Sequence, residues 1–279
     1  MKTNPIVSII IPCKNSALFL ENCLKSIKNQ TFQKTETIIV DSGSKDETYS
    51  LAAKYDSRLF NYYPKVEKGM FDAPHKRNFG VKRSKGKYVF YVDADMELSK
   101  NVVKDAVNLL EKGFDAVIVP ENSFGEGPWA KAKNLERLCY WGDDTVEAPR
   151  FVRKSVWKKM GGLDEFIGGG GDDWDLYQKL IRNGYKTGRI HSVIMHNEGK
   201  LSLRKLIKKR YMYGKDSLKY IKKRPGAASL SYFPLRRSYL KNWKLFVSRP
   251  ADSFYFIIMR TAEYSAAAVG IMKSLILQK

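Results

Sequence analysis

The chain opens into an apolar run, Val7-Ser-Ile-Ile-Ile11, bounded by Pro5 and Pro12. A β-branched run of that length between prolines predicts a strand. The apolar positions then move to Ala17, Leu20, Leu24 and Ile27, the spacing of one helix face. Thr37 to Val40 predicts a second strand. Ser44-Lys-Asp-Glu47 reads as a capping box opening a helix through Tyr55. A short strand at Leu59 to Tyr63 precedes a helix from Pro74 to Ser84. Tyr88-Val-Phe-Tyr-Val92 is continuously apolar, as a strand buried on both faces is. Helix returns at Val102 to Leu110, and strand at Ala116 to Val119 and at Ile190 to Met195, the last ending at His196.

Strands alternating with helices at this spacing predict an α/β fold with a mostly parallel sheet flanked by helices. In open sheets of this kind, ligands bind beyond the carboxyl ends of the strands. The residues there are Pro12 to Asn15, Asp41 to Ser44 and Asp93 to Asp95, polar stretches that include three acids. Farther on, Leu203, Leu206, Ile207, Tyr211, Gly214, Leu218 and Ile221 keep helical spacing, with lysines largely off the stripe. That helix would span about 31 Å to Lys223 and end at Pro225-Gly226. A last apolar run, Phe254 to Leu277, holds Arg260, Glu263 and Lys273, so it either lies in a membrane interface or packs on the body.

Charge sharpens this division. The 279 residues carry 50 Lys and Arg against 29 Asp and Glu, for a net charge of +21. Between Lys200 and Arg249 stand sixteen basic residues and one acid, Asp216, leaving a nearly balanced body. The pattern predicts a body over residues 1–200 and a basic, amphipathic helical region over 201–279. Such a region suits phosphates of nucleic acid, lipid headgroups or acidic glycans; the plainer alternative is a solvated helix face. A 43% hydrophobic content excludes a disordered tail. Cys13, Cys23 and Cys139 form no C-x-x-C pair, which excludes a disulfide scaffold or cysteine zinc site and points to a reducing compartment. The polar Met1 to Pro5 predicts no signal peptide, and charges interrupt every window of membrane-spanning length.

Several clusters carry chemistry. Asp93-Ala-Asp95 follows a buried strand, where two carboxylates can converge on Mg²⁺ or Mn²⁺ together with substrate phosphates. On its own the pattern is more often a surface turn. Asp41, at a strand tip, suits a ligand contact or the backbone N–H groups of its turn, whereas Asp46 suits only the latter. Lys76-Arg77-Asn78 could pair with a diphosphate, but its spacing favours a solvated helix face. Gly168 to Gly171 makes a flexible loop ahead of Asp172, Asp173 and Asp175, which crowd the first turn of a helix ending near Asn183. Acids there complement the helix dipole. Crowded carboxylates also raise one another's pKa, which suits a general base. His196 is structural on its own and a metal ligand beside a carboxylate-bound cation.

In this order the pieces resemble the inverting family 2 glycosyltransferases of GT-A fold. The resemblance rests on Val7 to Asn15, Val40 to Thr48, Lys76 to Gly80, Gly86 to Asp95, Gly161-Gly-Leu-Asp-Glu165 and Gly171-Asp-Asp-Trp-Asp-Leu176, and covers roughly residues 5–200. It implies that residues 1–200 form a catalytic unit moving a sugar from a nucleoside-diphosphate sugar to an acceptor hydroxyl. Pro12, Lys14 and Asp41 would line the nucleobase and ribose pocket, and Arg77 would approach the diphosphate. Asp93 would sit near ribose and metal, Asp95 would ligate the divalent cation, and His196 would complete that site. Asp173 would be the base, with Asp172 or Asp175 as alternatives, and Gly168 to Gly171 would close over the acceptor. Asp172 stands where the family usually has Glu, which alters an acceptor contact. Trp174 and Trp141 would stack on a sugar or belong to the core. Ser42 replaces a second acid common after the second strand, so UDP is favoured over GDP without being specified.

The resemblance further implies a hexosyltransferase of glycan, polysaccharide or lipid-linked saccharide synthesis. The basic helices would place it at an anionic membrane, peripheral on the cytoplasmic face. The competing readings are a nucleic-acid-binding protein, suggested by the charge and 16 tyrosines but lacking any such motif, and a catalytically inactive scaffold. A nucleotidyltransferase would need a glycine-rich loop where Ile11 to Asn15 has no glycine.

Overall fold

The strands are β1 (Val7–Cys13), β2 (Thr35–Asp41), β3 (Arg58–Asn61), β4 (Tyr88–Tyr91), β5 (Met96–Leu98), β6 (Ala116–Ile118), β7 (Glu121–Glu126), β8 (Phe151–Arg153), β9 (Thr187–Arg189) and β10 (Ile194–Lys200). They come from a computed structural model that describes residues 4–66, 72–144, 146–167, 171–223 and 236–276. Seven strands form one sheet in the order β3-β2-β1-β4-β8-β6-β9. All its pairings are parallel except those of β8, which runs antiparallel to β4 and β6. A smaller sheet, β5-β10-β7, extends the strand ends on one side. The expected mostly parallel α/β architecture is thus what the chain adopts.

The helices of the body are α1 (Ala17–Lys28), α2 (Thr48–Lys54), α3 (Ala73–Arg83), α4 (Val102–Glu111), α5 (Gly127–Tyr140), α6 (Lys154–Lys159) and α7 (Gly171–Arg182). The apolar face expected of α1 is the buried one, through Leu20, Cys23, Leu24 and Ile27. It packs with Ile9, Ile11, Phe90 and Val103 in the main core on one side of the sheet. Ile10, Ile38, Val89 and Tyr91 face the other side and meet Val81, Trp157 and Leu176. All three cysteines are free and buried.

Some expectations move. The second helix begins at Thr48 rather than Ser44, because the Ser44 hydroxyl is drawn back to the Asp41 carboxylate and accepts the Asn15 N–H at 2.7 Å. The last strand of the body starts at Ile194, so His196 lies inside β10, not at a strand end. Lys76, Arg77 and Asn78 are buried, against the expectation of a solvated helix face. The loop Gly168 to Gly170 and the stop at Pro225-Gly226 lie outside the described residues.

Beyond the body come α8 (Leu203–Lys223), α9 (Arg237–Lys241), α10 (Trp243–Ser248) and α11 (Pro250–Ile276). Leu206, Phe256 and Met259 join Ala132, Leu135 and Cys139 of α5 in a third apolar cluster. Beside it, Arg260 Nη1 sits 3.0 Å from Glu136 Oε1 and 2.6 Å from Glu263 Oε2, while Arg210 Nε reaches Glu263 Oε1 at 3.2 Å. Arg260 and Glu263 of α11 therefore point inward, which is how so apolar a helix accommodates them. Helices α8 and α11 cross in backbone contact: a Cβ on Gly214 would overlap the Ala267 carbonyl oxygen, and one on Gly270 the Tyr211 oxygen.

That crossing makes a signed prediction. In an isolated helix, Gly270→Ala would gain about 1 kcal/mol of helix propensity. Overpacking against backbone that cannot give costs about 1–3 kcal/mol. The urea midpoint of Gly270→Ala is therefore expected below that of the parent at unchanged slope; a raised midpoint would mean the helices do not touch there.

Candidate active site

The turns at the tips of β1 and β2 are held by their own side chains. Asp41 is fully buried, and its carboxylate accepts the N–H groups of Gly43 at 2.7 Å and Ser44 at 2.8 Å and the Tyr49 hydroxyl at 2.9 Å. Asp46 accepts the Ala17 N–H at 2.9 Å. Asp46 thus holds its turn as expected, and Asp41 is engaged in the same way. Lys76 Nζ sits between the Cys13 carbonyl at 3.1 Å, Ser42 Oγ at 3.2 Å and Asp72 Oδ1 at 3.0 Å. Ser42 is thereby fastened to Lys76 and donates to Asp72. Pro12 is half-buried and Lys14 exposed on the same edge.

Beyond the tip of β4 the polar groups gather around one ring. The Tyr91 ring lies 4.7 Å from the Arg77 guanidinium and 5.3 Å from that of Arg150. Arg77 comes from α3, and Arg150 precedes β8, where its carbonyl accepts the Tyr91 N–H at 3.2 Å. Both arginines are buried. Arg77 donates to Asp172 Oδ2 at 2.6 Å and Asp93 Oδ1 at 2.7 Å. Arg150 Nε donates to Glu121 Oε1 at 2.7 Å, and its terminal nitrogens lie 3.6 Å from Asp93 and 3.6 Å from Asp173. The Tyr91 hydroxyl donates to Asp173 Oδ1 at 2.8 Å.

The charges follow from this packing. Burial works against ionising Asp93, but Arg77 and Arg150 outweigh it and hold the carboxyl below the usual range. Glu121 is likewise opposed by burial and held well down by Arg137 and Arg150. Asp172 goes the other way: burial and the neighbouring Asp173 lift it to about 6, against the pull of Arg77. Burial and Asp173 also push the Tyr91 hydroxyl well up, so it stays a proton donor.

Adjoining this cluster, Asp95 Oδ2 lies 3.2 Å from His196 Nε2, and Arg137 Nη2 lies 2.9 Å from His196 Nδ1. Asp95 Oδ1 is buried without a hydrogen-bond donor. An orphaned carboxylate oxygen beside an imidazole is a fitting seat for a divalent cation, though two side chains fill only part of a coordination shell. Among the described residues no group of three or more acidic, histidine or cysteine side chains is placed to hold a metal alone, so substrate oxygens would have to complete it.

These groups line one cleft of about 470 Å³, which takes in Arg77, Asp93, Asp95, Asp172, Asp173 and His196. Trp174 is also on its wall, with the Arg236 guanidinium 5.7 Å from its ring. Asp175 is buried and paired with Lys179 at 3.1 Å, and Trp141 donates to the Glu121 carbonyl; neither lines the cleft. Sequence reasoning missed Arg150, Glu121, Arg137 and Tyr91. No local pattern marks them, since β8 is three residues long and Tyr91 reads as one more apolar position. It also missed the cleft's far wall, where Lys205, Lys209 and Arg210 of α8 and Glu263 of α11 stand.

Comparison with known proteins bears on this cleft. An uncharacterized glycosyltransferase of Rickettsia typhi is 35% identical over 115 residues, 40% of this chain and 35% of that one. The poly(ribitol-phosphate) beta-N-acetylglucosaminyltransferase TarS of Staphylococcus aureus is 30% identical over 132 residues, 43% of this chain and 23% of TarS. The chain thus covers about a third or less of these relatives. Glycosyltransferase AglE of Haloferax volcanii is 25% identical over 228 residues, 77% of this chain and 74% of AglE. Among solved structures, mannosyltransferase PcManGT from Pyrobaculum calidifontis, in complex with GDP-Man and Mn²⁺, superposes with a TM-score of 0.64 at 18% identity, over 99% of this chain and 89% of that one. S. aureus TarS 1-349 in complex with UDP-GlcNAc gives a TM-score of 0.55 at 17% identity, over 96% and 89%. The fold is the GT-A type. Residues 8–164, more than half of the chain, match the model for glycosyl transferase family 2, and the chain belongs to that family.

Proposed function

We propose that the cleft transfers a hexose from a nucleoside-diphosphate sugar to an acceptor hydroxyl with inversion, using a divalent cation, Mn²⁺ or Mg²⁺. The observation that carries this reading is the placement of Asp95 and Asp173 on one cleft, one with an orphaned oxygen and the other oriented by Tyr91. Relatives with UDP-GlcNAc or GDP-Man in their complexes support a nucleoside-diphosphate donor. Of the two bases UDP is favoured. Pro12, Lys14 and Ser42 stand at the edge where the base and ribose would lie, with Asp41 shaping the turn. Residues 1–200 would carry the donor chemistry, and residues 201–279 the far wall and contact with an anionic membrane surface. The acceptor would be a saccharide or a lipid-linked one, and no nucleic acid is expected.

Asp95 and His196 would hold the cation, with Asp93 beside them. Bound there, it would supply Lewis-acid stabilisation of the charge that builds on the departing diphosphate. Arg77 and Arg150 keep Asp93 ionised and in place, so Arg77 serves the diphosphate through Asp93 rather than by direct contact. Asp173 has Oδ1 occupied by the Tyr91 hydroxyl, and Oδ2, with Arg150 Nη2 3.6 Å away, would take the proton of the acceptor hydroxyl. As the acceptor oxygen bonds to the anomeric carbon, the bond from that carbon to the diphosphate oxygen breaks, and the electron pair leaves with the diphosphate. One displacement inverts the centre. Asp172 and Trp174 stand where the acceptor would enter.

Three outcomes are expected. UDP with Mn²⁺ should stabilise the protein against heat, by about 2.7 kcal/mol at a hundredfold excess over Kd, and Asp95→Asn should abolish the metal-dependent part; the absence of a shift with any nucleoside diphosphate would sink the reading. Asp173→Asn should keep that stabilisation yet lower kcat by about 10²–10⁴, measured as release of the diphosphate with acceptor present. Finally, kcat/KM should fall below about pH 6, where Asp172 takes up a proton, and the acid limb should move to lower pH in Asp172→Asn. Stability runs the other way. A carboxyl raised from 3.8 to about 6 by folding favours the folded state most when protonated, so its contribution declines as pH rises through that window.

A further inference from the structure

The outward face of α11 carries no charge from Phe254 through Ile257, Thr261, Ser265, Ala268 and Met272, a stripe about 30 Å long at 1.5 Å per residue. Arg260 and Glu263, which made this helix look ill suited to lipid, point into the buried ion-pair network instead. Phe254 and Ile257 are 61% and 62% exposed. Leu240, Trp243 and Val247, spaced three and four residues apart, are exposed on the neighbouring short helices α9 and α10. Exposed Lys241 and Lys244 alternate with them, and Lys273 stands near the far end of α11. Apolar side chains exposed in such number mark a contact surface. The apolar stripe of α8, by contrast, is partly spent inside, with Leu206 buried and Gly214 against α11.

We infer that α9, α10 and the outward face of α11 form the surface by which the protein lies on an anionic lipid bilayer. Charge decides the occupant. A second copy of a chain with net charge +21 would bring lysines against lysines, whereas anionic headgroups complement them and the acyl boundary receives Trp243, Phe254 and Ile257. The contact is with the surface only, since no described helix is long and apolar enough to cross a membrane. The assignment rests on the proposed membrane association and is independent of the transfer chemistry.

The test is flotation of the full-length protein with phosphatidylglycerol vesicles and with phosphatidylcholine vesicles. The parent and two double variants, Phe254→Glu/Ile257→Glu and Lys205→Glu/Lys208→Glu, would be compared, with circular dichroism and light scattering on each. Binding to the anionic vesicles, weakened about tenfold or more by the α11 variant and less by the α8 variant, supports the assignment. Binding that survives the α11 variant but fails with the α8 variant overturns the surface while keeping the membrane association. No binding by the parent overturns both. A parent dimer that the α11 variant converts to monomer, without vesicle binding, assigns the face to a second copy instead.

Discussion

Two buried guanidinium groups over the Tyr91 ring bear the electrostatic cost of this site. Arg77 and Arg150 lie out of water and face Asp93, Asp172, Asp173 and Glu121. Removing Arg77 would leave Asp172 buried without a cation, a loss of about 3–5 kcal/mol for a single broken pair, whereas without Arg150 the acids keep Arg137, Arg77 and Tyr91 as partners. The aromatic ring adds cation–π attraction to both. Its hydroxyl then sets the orientation of Asp173. One residue of β4 thereby links the centre of the sheet to the base proposed for catalysis.

This arrangement explains why neighbouring acids behave differently. Asp93 has an arginine on each oxygen and stays ionised. Asp172 has one arginine and a carboxylate neighbour, and holds its proton to a higher pH. Their separate roles come from the number of cations within reach, not from residue type.

The parallel core was legible because a doubly buried strand has to be apolar throughout, and β1 and β4 are. Asp93 and Asp95 were legible too, because they follow directly on the apolar β4, and Asp173 because three acids crowd the first turn of α7. The arginines were not. Arg150 gains its importance from β8 running antiparallel beside β4, a pairing that three residues of strand do not announce. Lys76, Arg77 and Asn78 read as a wet helix face because sequence shows charge but not the countercharge waiting across the turn. Arg260 and Glu263 misled in the same way: in a long apolar helix they look like interruptions, and they are the inward half of an ion-pair network.

The glycine crossing of α8 and α11 has a mechanical consequence. Side-chain layers yield, whereas two backbones in contact do not slide or compress by more than a fraction of an ångström. The crossing therefore ties the helix carrying Phe254 and Ile257 to the helix carrying Lys205 and Lys209, so the outer apolar face and the cleft wall belong to one rigidly joined pair of helices.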